Sequence, residues 1–386
     1  MKYMLIAGEA SGDLHASRLI RELKNRDEHA EFLFIGGDLM TREAGHEPEL
    51  HYRELNVMGF SEVIRKLPSI FSTLRQAKRL LESFKPDSLI LVDYPGFNLR
   101  MAKAAHRKGI RVDWYISPKV WAWKAWRVEK IKKYVSFMYS ILPFEPAFYE
   151  EHGFDRIKYV GNPSVEEIDH ALGHIPPFRH FIERNGLDPD RPIIALLPGS
   201  RRGEIRCNLP VMTEAVKSLA QDYQIVVAAA PSIPEKFYRE TAGDQGLRVV
   251  FAATVPLLKY SKAAVVTSGT ATLETALVGT PQVVCYRSNG SKLTYKIMRK
   301  LVKVDYVSLP NLIVGHRIIS ELLLHDCTPT AVKRDLWPLL QPSPEHERQM
   351  EGYRLMRRKL GNSVAPAYAA ELIVDALSPA DGQEEG

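Results

Sequence analysis

The sequence has few cysteines and no long apolar run, and each absence excludes a class of protein. Three cysteines in 386 residues, with no C-x-x-C pair, argue against a disulfide framework and favour a reducing compartment. No stretch reaches the roughly 18 apolar residues of a membrane-spanning helix. The apolar run at residues 3–7 is followed at once by Gly8 and is too short for a signal peptide. We therefore expect a protein that is soluble or at most peripheral to a membrane.

The composition is that of a globular protein with an excess of positive charge. Apolar residues make up 45% of the chain and charged residues 25%, a balance that excludes disorder as the main state. The 52 Lys and Arg outnumber the 46 Asp and Glu, and the net charge is +6. This excess favours anionic partners such as phosphates, nucleic acid or acidic lipid. The length suits two domains.

Short apolar segments alternate with helical patterns along the first part of the chain. Ala16, Leu19, Ile20 and Leu23 have the i, i+3, i+4, i+7 spacing of a helix with one buried face. They lie between two apolar runs, as in a βαβ unit. The runs that read as strands of a parallel sheet are residues 3–7, 31–35, 88–92, 111–116, 137–142 and 157–160.

The same alternation begins again after Pro163. The pattern predicts an α/β protein with two Rossmann-like, doubly wound domains that face a central cleft. We place the domains at residues 1–164 and 165–345, followed at 346–386 by C-terminal helices, which pack back toward the N-terminal domain, and a polar tail. The predicted strands of the second domain are residues 192–197, 223–229, 247–252, 263–267 and 282–286.

Ligands of such sheets bind where the strands end, so the loops after the strands hold the candidate residues. The loop Gly8-Glu9-Ala10-Ser11-Gly12-Asp13 opens a helix after the first strand. It is a ligand loop or a tight turn with Ser11 or Asp13 as the N-cap. Asp93 follows a later strand and is either a general base for a substrate hydroxyl or a carboxylate that caps a turn.

Two loops of the second domain form a candidate nucleotide site. Gly199, Ser200 and Arg201 precede a helix, and an arginine beside a helix N-terminus suits a diphosphate. The alternative is that Arg201 and Arg202 are solvated surface. In the loop that begins with Ser268, Gly269 and Thr270, Glu274 lies one helical turn further on. That carboxylate can accept the hydroxyls of a ribose, or the segment can be a capping box.

Basic and apolar residues alternate between Val57 and Leu81, and such a segment docks on an anionic membrane, lines an acyl groove, or is a core helix with a solvated face. Trp121, Trp123 and Trp126 are either interfacial anchors or packing residues. Nucleic acid is disfavoured because the basic runs are helical. The histidines form no metal-binding pattern, and we predict no metal. The candidate lipid contacts are Val57, Met58, Phe60, Ile70, Phe71 and Leu74.

An ordered set of motifs over nearly the whole chain closely resembles the lipid-A-disaccharide synthases. The first motif has Ala10 where family members more often have Thr. No single motif is decisive, but their order is specific. The motifs are Ala7-Gly8-Glu9-Ala10-Ser11-Gly12-Asp13, Val57-Met58-Gly59, Asp93-Tyr94-Pro95-Gly96-Phe97-Asn98, Ser117-Pro118-Lys119-Val120-Trp121-Ala122-Trp123, Leu142-Pro143-Phe144-Glu145, Leu197-Pro198-Gly199-Ser200-Arg201, Ser268-Gly269-Thr270-Ala271-Thr272-Leu273-Glu274 and Asp305-Tyr306-Val307-Ser308-Leu309-Pro310-Asn311.

The resemblance implies an inverting glycosyltransferase of lipid A biosynthesis. Such an enzyme joins UDP-2,3-diacylglucosamine to 2,3-diacylglucosamine 1-phosphate through a β-1,6 linkage and releases UDP. The resemblance further implies a cytoplasmic enzyme at the inner-membrane surface and a homodimer formed by C-terminal exchange. No metal is required by the charge arithmetic, because arginine and a helix N-terminus neutralise the leaving group.

The resemblance also assigns roles to individual residues. Asp93 is the general base, Arg201 a ligand of the donor diphosphate, and Asn311 a further polar group at the nucleotide site. Glu9 and Ser11 match a loop that faces the cleft, and Glu274 matches the ribose-binding acid of related transferases. Rival functions are a lipid-linked N-acetylglucosamine transferase, a UDP-sugar 2-epimerase, or a non-catalytic binder of phospholipid or nucleic acid, because fold alone does not decide function.

Overall fold

The computed structural model describes residues 1–55, 67–122, 125–244, 246–287 and 305–378. It divides the chain into two compact units. The first unit is Met1–Pro163 together with the C-terminal segment Asn362–Gly386, and the second is Ser164–Gly361. The segment 346–386, which we expected to form one C-terminal piece, is therefore shared between the units: its first part belongs to the second unit and its last helix to the first.

The first unit contains a seven-stranded, all-parallel sheet with the order β3-β2-β1-β4-β5-β6-β7. The chain order reverses between β1 and β4, which makes this the switch point of a Rossmann-like sheet. The elements are β1 (Lys2–Ala7), α1 (Ala10–Arg26), β2 (Glu31–Gly36), α2 (Asp38–Ala44), β3 (Leu50–His51), α3 (Tyr52–Leu55), α4 (Leu67–Phe84), β4 (Ser88–Val92), α5 (Pro95–His106), β5 (Arg111–Tyr115), two 3₁₀ turns (Val120–Ala122 and Ala125–Arg127), α6 (Val128–Tyr134), β6 (Phe137–Ser140), α7 (Glu145–Glu151) and β7 (Ile157–Tyr159).

The second unit contains a six-stranded parallel sheet with the order β10-β9-β8-β11-β12-β13. Its switch point lies between β8 and β11. The elements are α8 (Pro163–Gly173), α9 (Phe178–Arg184), β8 (Ile193–Leu197), α10 (Arg202–Val216), a 3₁₀ turn (Lys217–Leu219), β9 (Gln224–Ala229), α11 (Glu235–Ala242), β10 (Arg248–Phe251), α12 (Thr254–Tyr260), β11 (Ser261–Val266), α13 (Thr270–Val278), β12 (Gln282–Tyr286), α14 (Leu309–Val314), β13 (Ser320–Leu323), α15 (Pro329–Leu336), a 3₁₀ turn (Trp337–Leu340) and α16 (Pro344–Leu360).

Each sheet has an apolar core on both faces, which is why its strands read as continuous apolar runs. Met4 and Ile6 of β1 face one core, and Tyr3 and Leu5 face the other. The strands of the second unit alternate in the same way. The predicted Rossmann-like class is confirmed. The sequence pattern missed β3 and β13, which are short edge strands with few buried residues and therefore weak apolar periodicity.

The last helix, α17 (Ala365–Leu377), packs on the first unit. Ala369, Ala370 and Ile373 are fully buried in the same cluster as Leu19 and Ile20 of α1. The long helix before it, α16, contains buried Tyr353 and Gln349, which bond to Gln282 of the second unit. Of the two C-terminal helices described, α16 thus belongs to the second unit and α17 to the first.

Candidate active site

The loop after β1 is built from one buried and two exposed polar side chains. Buried Asp13 accepts hydrogen bonds from the backbone N–H of Gly37 (2.7 Å) and Met40 (3.2 Å), so it binds the start of α2. Helix α1 begins at Ala10 with Glu9 as its N-cap residue. The exposed Ser11 hydroxyl donates to Glu9 Oε1 over 2.7 Å. Asp13 is therefore structural, whereas Glu9 and Ser11 are accessible to a ligand.

Asp93 follows β4 in an unusual backbone conformation. Asp93 and Tyr94 have φ angles of 41° and 46°, a left-handed region that costs free energy for residues other than glycine. Asn98 stabilises this turn, since its side-chain amide donates to the carbonyls of Asp93 (2.7 Å) and Val92 (3.2 Å). The bent backbone carries the half-buried Asp93 carboxylate at the end of the strand.

Gly8 brings the β1 loop and the β4 loop together. A Cβ atom at Gly8 would lie 2.4 Å from the ring of Tyr94, a separation that no side chain tolerates. The glycine therefore lets the Tyr94 ring lie directly on the backbone beside Glu9. This close approach places the two candidate loops of the first unit side by side, at the switch point where ligands of such sheets bind.

Burial raises the pKa of Asp93, and the negative charge of Glu9 raises it further, while Lys119 acts in the opposite direction. The charges of Glu9 and Lys119 thus act on the Asp93 carboxylate in opposite directions. A carboxylate with a raised pKa accepts a proton from a hydroxyl more readily than an ordinary aspartate. The arrangement suits a general base, as the sequence suggested.

In the loop after β8, the backbone N–H groups bond to the carboxylate of Glu204, which lies in the helix that follows. Gly199 has a φ of 117°, and a Cβ atom there would lie 2.6 Å from Glu204 Oε2. The same oxygen accepts hydrogen bonds from the N–H groups of Ser200 (3.1 Å) and Arg201 (3.4 Å). These two N–H groups, which we expected to be available to a diphosphate, are bonded to Glu204. The Arg201 side chain is 76% exposed, and its guanidinium lies 3.7 Å from Glu204 Oε1.

The neighbouring loop after β11 differs, because its helix start is open. Gly269 has a φ of 131°, and it and Thr270 are exposed. Within the described residues no side-chain cap bonds to the first turn of α13, although the N–H of Thr272 donates to the Gly269 carbonyl over 3.2 Å. Free N–H groups at a helix start attract anions. The exposed loop Ser268, Gly269 and Thr270 is compatible with an anion-binding loop, and its role as a UDP-sugar ligand stays a prediction.

A residue that the sequence analysis did not single out joins the loops of this unit. Asn208 is fully buried on α10. Its amide donates to Thr267 Oγ1 (3.3 Å) at the end of β11, and its oxygen accepts from the N–H of Arg287 (2.7 Å) after β12. The available signal was a lone amide between apolar Ile205 and Leu209 in an otherwise buried helix face.

Glu274 lies on α13, half-buried. Burial raises the pKa of its carboxyl, and the charge of nearby Glu167 raises it further. A carboxylate one turn inside the helix after the open loop is placed to accept hydrogen bonds from a polyhydroxy ligand. Its role as a ribose ligand stays a prediction.

The resemblance implies that Asn311 is a polar group at the nucleotide site, but the structure engages its side chain entirely within the fold. Asn311 is fully buried. Its oxygen accepts from the N–H groups of Ile318 (2.8 Å) and Ile319 (2.9 Å), and its amide donates to the Ile319 carbonyl (3.0 Å) and Glu321 Oε1 (2.8 Å). Every donor and acceptor of the side chain is used, so Asn311 fixes the turn between α14 and β13.

The prediction that Leu74 contacts lipid is wrong, because its side chain lies in the core of the first unit and is 7% exposed. The helical spacing that suggested an apolar face was that of a core helix. Val57, Met58 and Phe60 lie outside the described residues, as do the side chains of Ile70 and Phe71.

The three tryptophans after β5 have different environments. Trp121 is 9% exposed, and its indole Nε1 donates to buried Glu145. Trp123 lies outside the described residues. Trp126 is 61% exposed, with the cationic groups of Arg127 and Lys130 5.7 and 5.4 Å from its ring. Of these side chains, Trp126 has the environment of an interfacial anchor.

Within the part of the chain that the structure describes, no cluster of three His, Cys, Asp or Glu side chains is arranged to hold a metal ion. In the same residues, no helix is both long and apolar enough to cross a membrane.

The two parallel sheets and the loops at their switch points define an α/β protein with two Rossmann-like domains. Solved structures share this fold at low identity. A UDP-GlcNAc 2-epimerase from Neisseria meningitidis, bound to UDP-GlcNAc, superposes with a TM-score of 0.62 at 13% identity and covers 98% of this chain and 99% of its own. The glycotransferase of kitacinnamycin superposes with a TM-score of 0.63 at 16% identity, over 98% and 99% of the two chains.

Sequence comparison is more specific. The family model described as lipid-A-disaccharide synthetase matches residues 3–373. The lipid-A-disaccharide synthase of Myxococcus xanthus is 40% identical over 386 residues, 98% of both chains. The Geobacter metallireducens enzyme of the same name is 36% identical over 97% of both chains. The chain belongs to the lipid-A-disaccharide synthetase family, which confirms the resemblance.

Proposed function

We propose that the chain joins UDP-2,3-diacylglucosamine to 2,3-diacylglucosamine 1-phosphate and releases the β-1,6-linked tetraacyl disaccharide 1-phosphate and UDP. The observation that carries this proposal is the family match over residues 3–373. The polar loops at the switch points of both sheets support it, since a glycosyl transfer needs a base for the acceptor and positive charge for the leaving group.

Asp93 is the proposed general base. The acceptor's 6-hydroxyl oxygen attacks the anomeric carbon of the donor, so the new C–O bond forms while the bond from that carbon to the UDP oxygen breaks. The hydroxyl proton passes to the Asp93 carboxylate, and the bonding electrons leave with UDP. Attack on the face opposite to UDP inverts the anomeric centre. The raised pKa of Asp93 favours the proton transfer.

Arg201 and the start of α13 are the proposed ligands of the leaving diphosphate. The exposed Arg201 guanidinium supplies a positive charge, and the uncapped N–H groups after Gly269 supply donors. Glu274 is the proposed ribose ligand. Because these groups neutralise the diphosphate, we propose that the reaction needs no divalent metal.

The direct test is UDP release by the purified protein with both lipid substrates, in the presence of a chelator and with each sugar omitted in turn. Release that requires both lipids supports the transferase. Product formation without the acceptor supports an epimerase or hydrolase, and release only after metal is restored contradicts the metal-independent reaction.

Asp93→Asn tests the base. We expect kcat to fall by about 10²–10⁴-fold, because the amide does not accept the proton, while the circular dichroism spectrum and UDP affinity stay unchanged. Asp27→Asn is the matched control, since Asp27 binds the N-terminal amine and the Tyr3 hydroxyl at the amino-terminal end of β1, away from the loops that follow the strands. Near-normal turnover of Asp93→Asn contradicts the assignment.

We further propose that the enzyme works in the cytoplasm, bound peripherally to the inner membrane. The exposed Trp126 with its neighbouring cations supports contact with an anionic lipid surface. Co-sedimentation with anionic and neutral vesicles tests this. Trp126→Ala should weaken binding to anionic vesicles, whereas Trp337→Ala, at a 48% exposed tryptophan of the second unit, should not.

A homodimer formed by exchange of the C-terminal helix is the remaining proposal from the family. The packing of α17 on α1 supports it, because a second copy of α17 fits the same apolar surface. Light scattering of the purified protein tests it: a monomeric mass at every concentration contradicts the dimer.

A further inference from the structure

Glu145 has an environment that the proposed chemistry does not explain. It begins α7 and is 1% exposed. Its Oε1 accepts a hydrogen bond from Trp121 Nε1 (3.0 Å), and its Oε2 accepts from the N–H of Leu142 (3.3 Å). Burying a carboxylate is costly. The bond from Leu142 is local and is typical of the start of a helix. The bond from Trp121 joins the helix to the loop after β5, and capping the helix does not require it.

The same helix holds this loop at a second point. The hydroxyl of buried Tyr149 donates to the Pro118 carbonyl over 3.1 Å. The rings of Trp121 and Phe144 also pack edge to face, with centroids 5.1 Å apart. Helix α7 therefore fixes the segment 116–121, defined here as the β5 loop, on both sides of Lys119.

The β5 loop begins in a strained conformation. Ile116 has a φ of 65°, and a β-branched residue adopts this region only where the surroundings impose it. Its N–H donates to the Tyr139 carbonyl of β6. The contacts to α7 supply the remaining constraint, so removing one of them should loosen the loop.

The β5 loop and the proposed base leave neighbouring strands at the same level of the sheet, because Val92, which precedes Asp93, pairs with Tyr115, which precedes Ile116. The charge of Lys119, in the middle of the loop, acts on Asp93 and on Glu145. The described charged and titratable groups that face Glu145 are Lys119 from the loop, Tyr149 from its own helix and Tyr159 from β7. The position of the loop thus sets the charge beside the base.

We propose that Glu145 is a positioning residue, which holds the β5 loop against α7 and thereby keeps Lys119 opposite Asp93. The proposal rests on the transferase function for its kinetic consequence. Glutamine at this position can accept one of the two hydrogen bonds but not both, because its amide nitrogen is a donor. With the glutamine oxygen turned to Trp121, its amide nitrogen opposes the N–H of Leu142, and the reverse orientation opposes Trp121 Nε1. Glu145→Gln therefore weakens the link with little change of shape, whereas Trp121→Phe removes it.

Amide hydrogen exchange tests the proposal without any activity. In Glu145→Gln and in Trp121→Phe, which removes the indole donor, the β5 loop should exchange faster than in the unsubstituted protein. Tyr3→Phe is the control. It deletes the hydrogen bond from the Tyr3 hydroxyl to Asp27 at the amino-terminal end of β1, so exchange of the β5 loop should not change. Unaltered exchange in Trp121→Phe, which removes the donor of the link, overturns the proposal.

The kinetic arm uses a double-mutant cycle. We expect Glu145→Gln and Trp121→Phe each to lower kcat by about tenfold to a hundredfold, since a small displacement at a reacting site has effects of this size, with little change in KM. The double variant should lose less than the product of the two single losses, because both substitutions affect the same link. Additive effects overturn the proposal, as does a loss of kcat that only follows the folded fraction. If the unsubstituted protein releases no UDP, the transferase fails, and the exchange experiment still decides the role of Glu145.

Discussion

Asn311→Ala separates stability from nucleotide binding. Four hydrogen bonds at 2.8–3.0 Å end on this fully buried side chain. Each contributes about 1 kcal/mol, and groups left unsatisfied in the interior add to the cost. We therefore expect the substitution to lower the free energy of unfolding of the second unit by about 4 kcal/mol or more. UDP affinity of the folded protein should stay unchanged.

The assay is a urea titration followed by calorimetric titration with UDP at a temperature where the variant is folded. Arg201→Ala is the complementary variant. Its side chain is 76% exposed, so stability should stay within about 0.5 kcal/mol, whereas UDP affinity should fall by about 1.5–3 kcal/mol, the range of a charge-assisted hydrogen bond. Ser308→Ala, which removes one bond of 2.6 Å to Glu321, should cost about 1 kcal/mol.

Two outcomes would refute the structural assignment of Asn311. One is a folded, stable Asn311→Ala variant that does not bind UDP, which would make the residue a ligand. The other is a change of less than about 1 kcal/mol in unfolding free energy, which is incompatible with four bonds in the interior.

Three further predictions follow from the same contacts. Gly8→Ala should lower kcat at least tenfold, because its Cβ would meet the Tyr94 ring at 2.4 Å and displace the Asp93 loop; Gly109→Ala, where nothing lies nearby, should affect stability only. Burial raises the pKa of Glu145 from 4.5 to about 7, so its contribution to stability is full below pH 4.5 and lost as the pH rises through about 7. The loss is about 3 kcal/mol, and Glu145→Gln should abolish it in denaturation curves measured across this range. Glu204→Gln should free the loop N–H groups in part and tighten UDP binding in calorimetry; weaker binding would show that Glu204 serves the ligand.

The sequence predicted the features that depend on local pattern. The buried strands are continuous apolar runs, and the turn residues after β1, β4, β8 and β11 follow directly from them, so the loops of Glu9, Asp93 and Arg201 could be located. The environments of Asn311 and Leu74 could not be predicted, because they depend on residues from other elements. Periodicity shows which side chains of one helix or strand share a face, but it does not show what that face contacts.

Contacts between distant parts of the chain escaped the sequence analysis for the same reason. Glu145 and Trp121 are 24 residues apart, and Asn208 and Arg287 are 79 apart. Glu145 stood in a motif of the family without a physical role, since a carboxylate after Phe144 reads as an exposed helix start. Only the fold shows that it is buried.

The first unit is assembled from the two ends of the polypeptide, because α17 completes the apolar cluster around Leu19 and Ile20. During synthesis the ribosome delivers the N-terminal strands long before the residues that cover them. The nascent first unit therefore exposes part of its core until translation ends, whereas the second unit is complete as soon as Gly361 has left the ribosome. A chain truncated before α17 should consequently leave apolar core residues of the first unit exposed, and chaperones and proteases should recognise that unit.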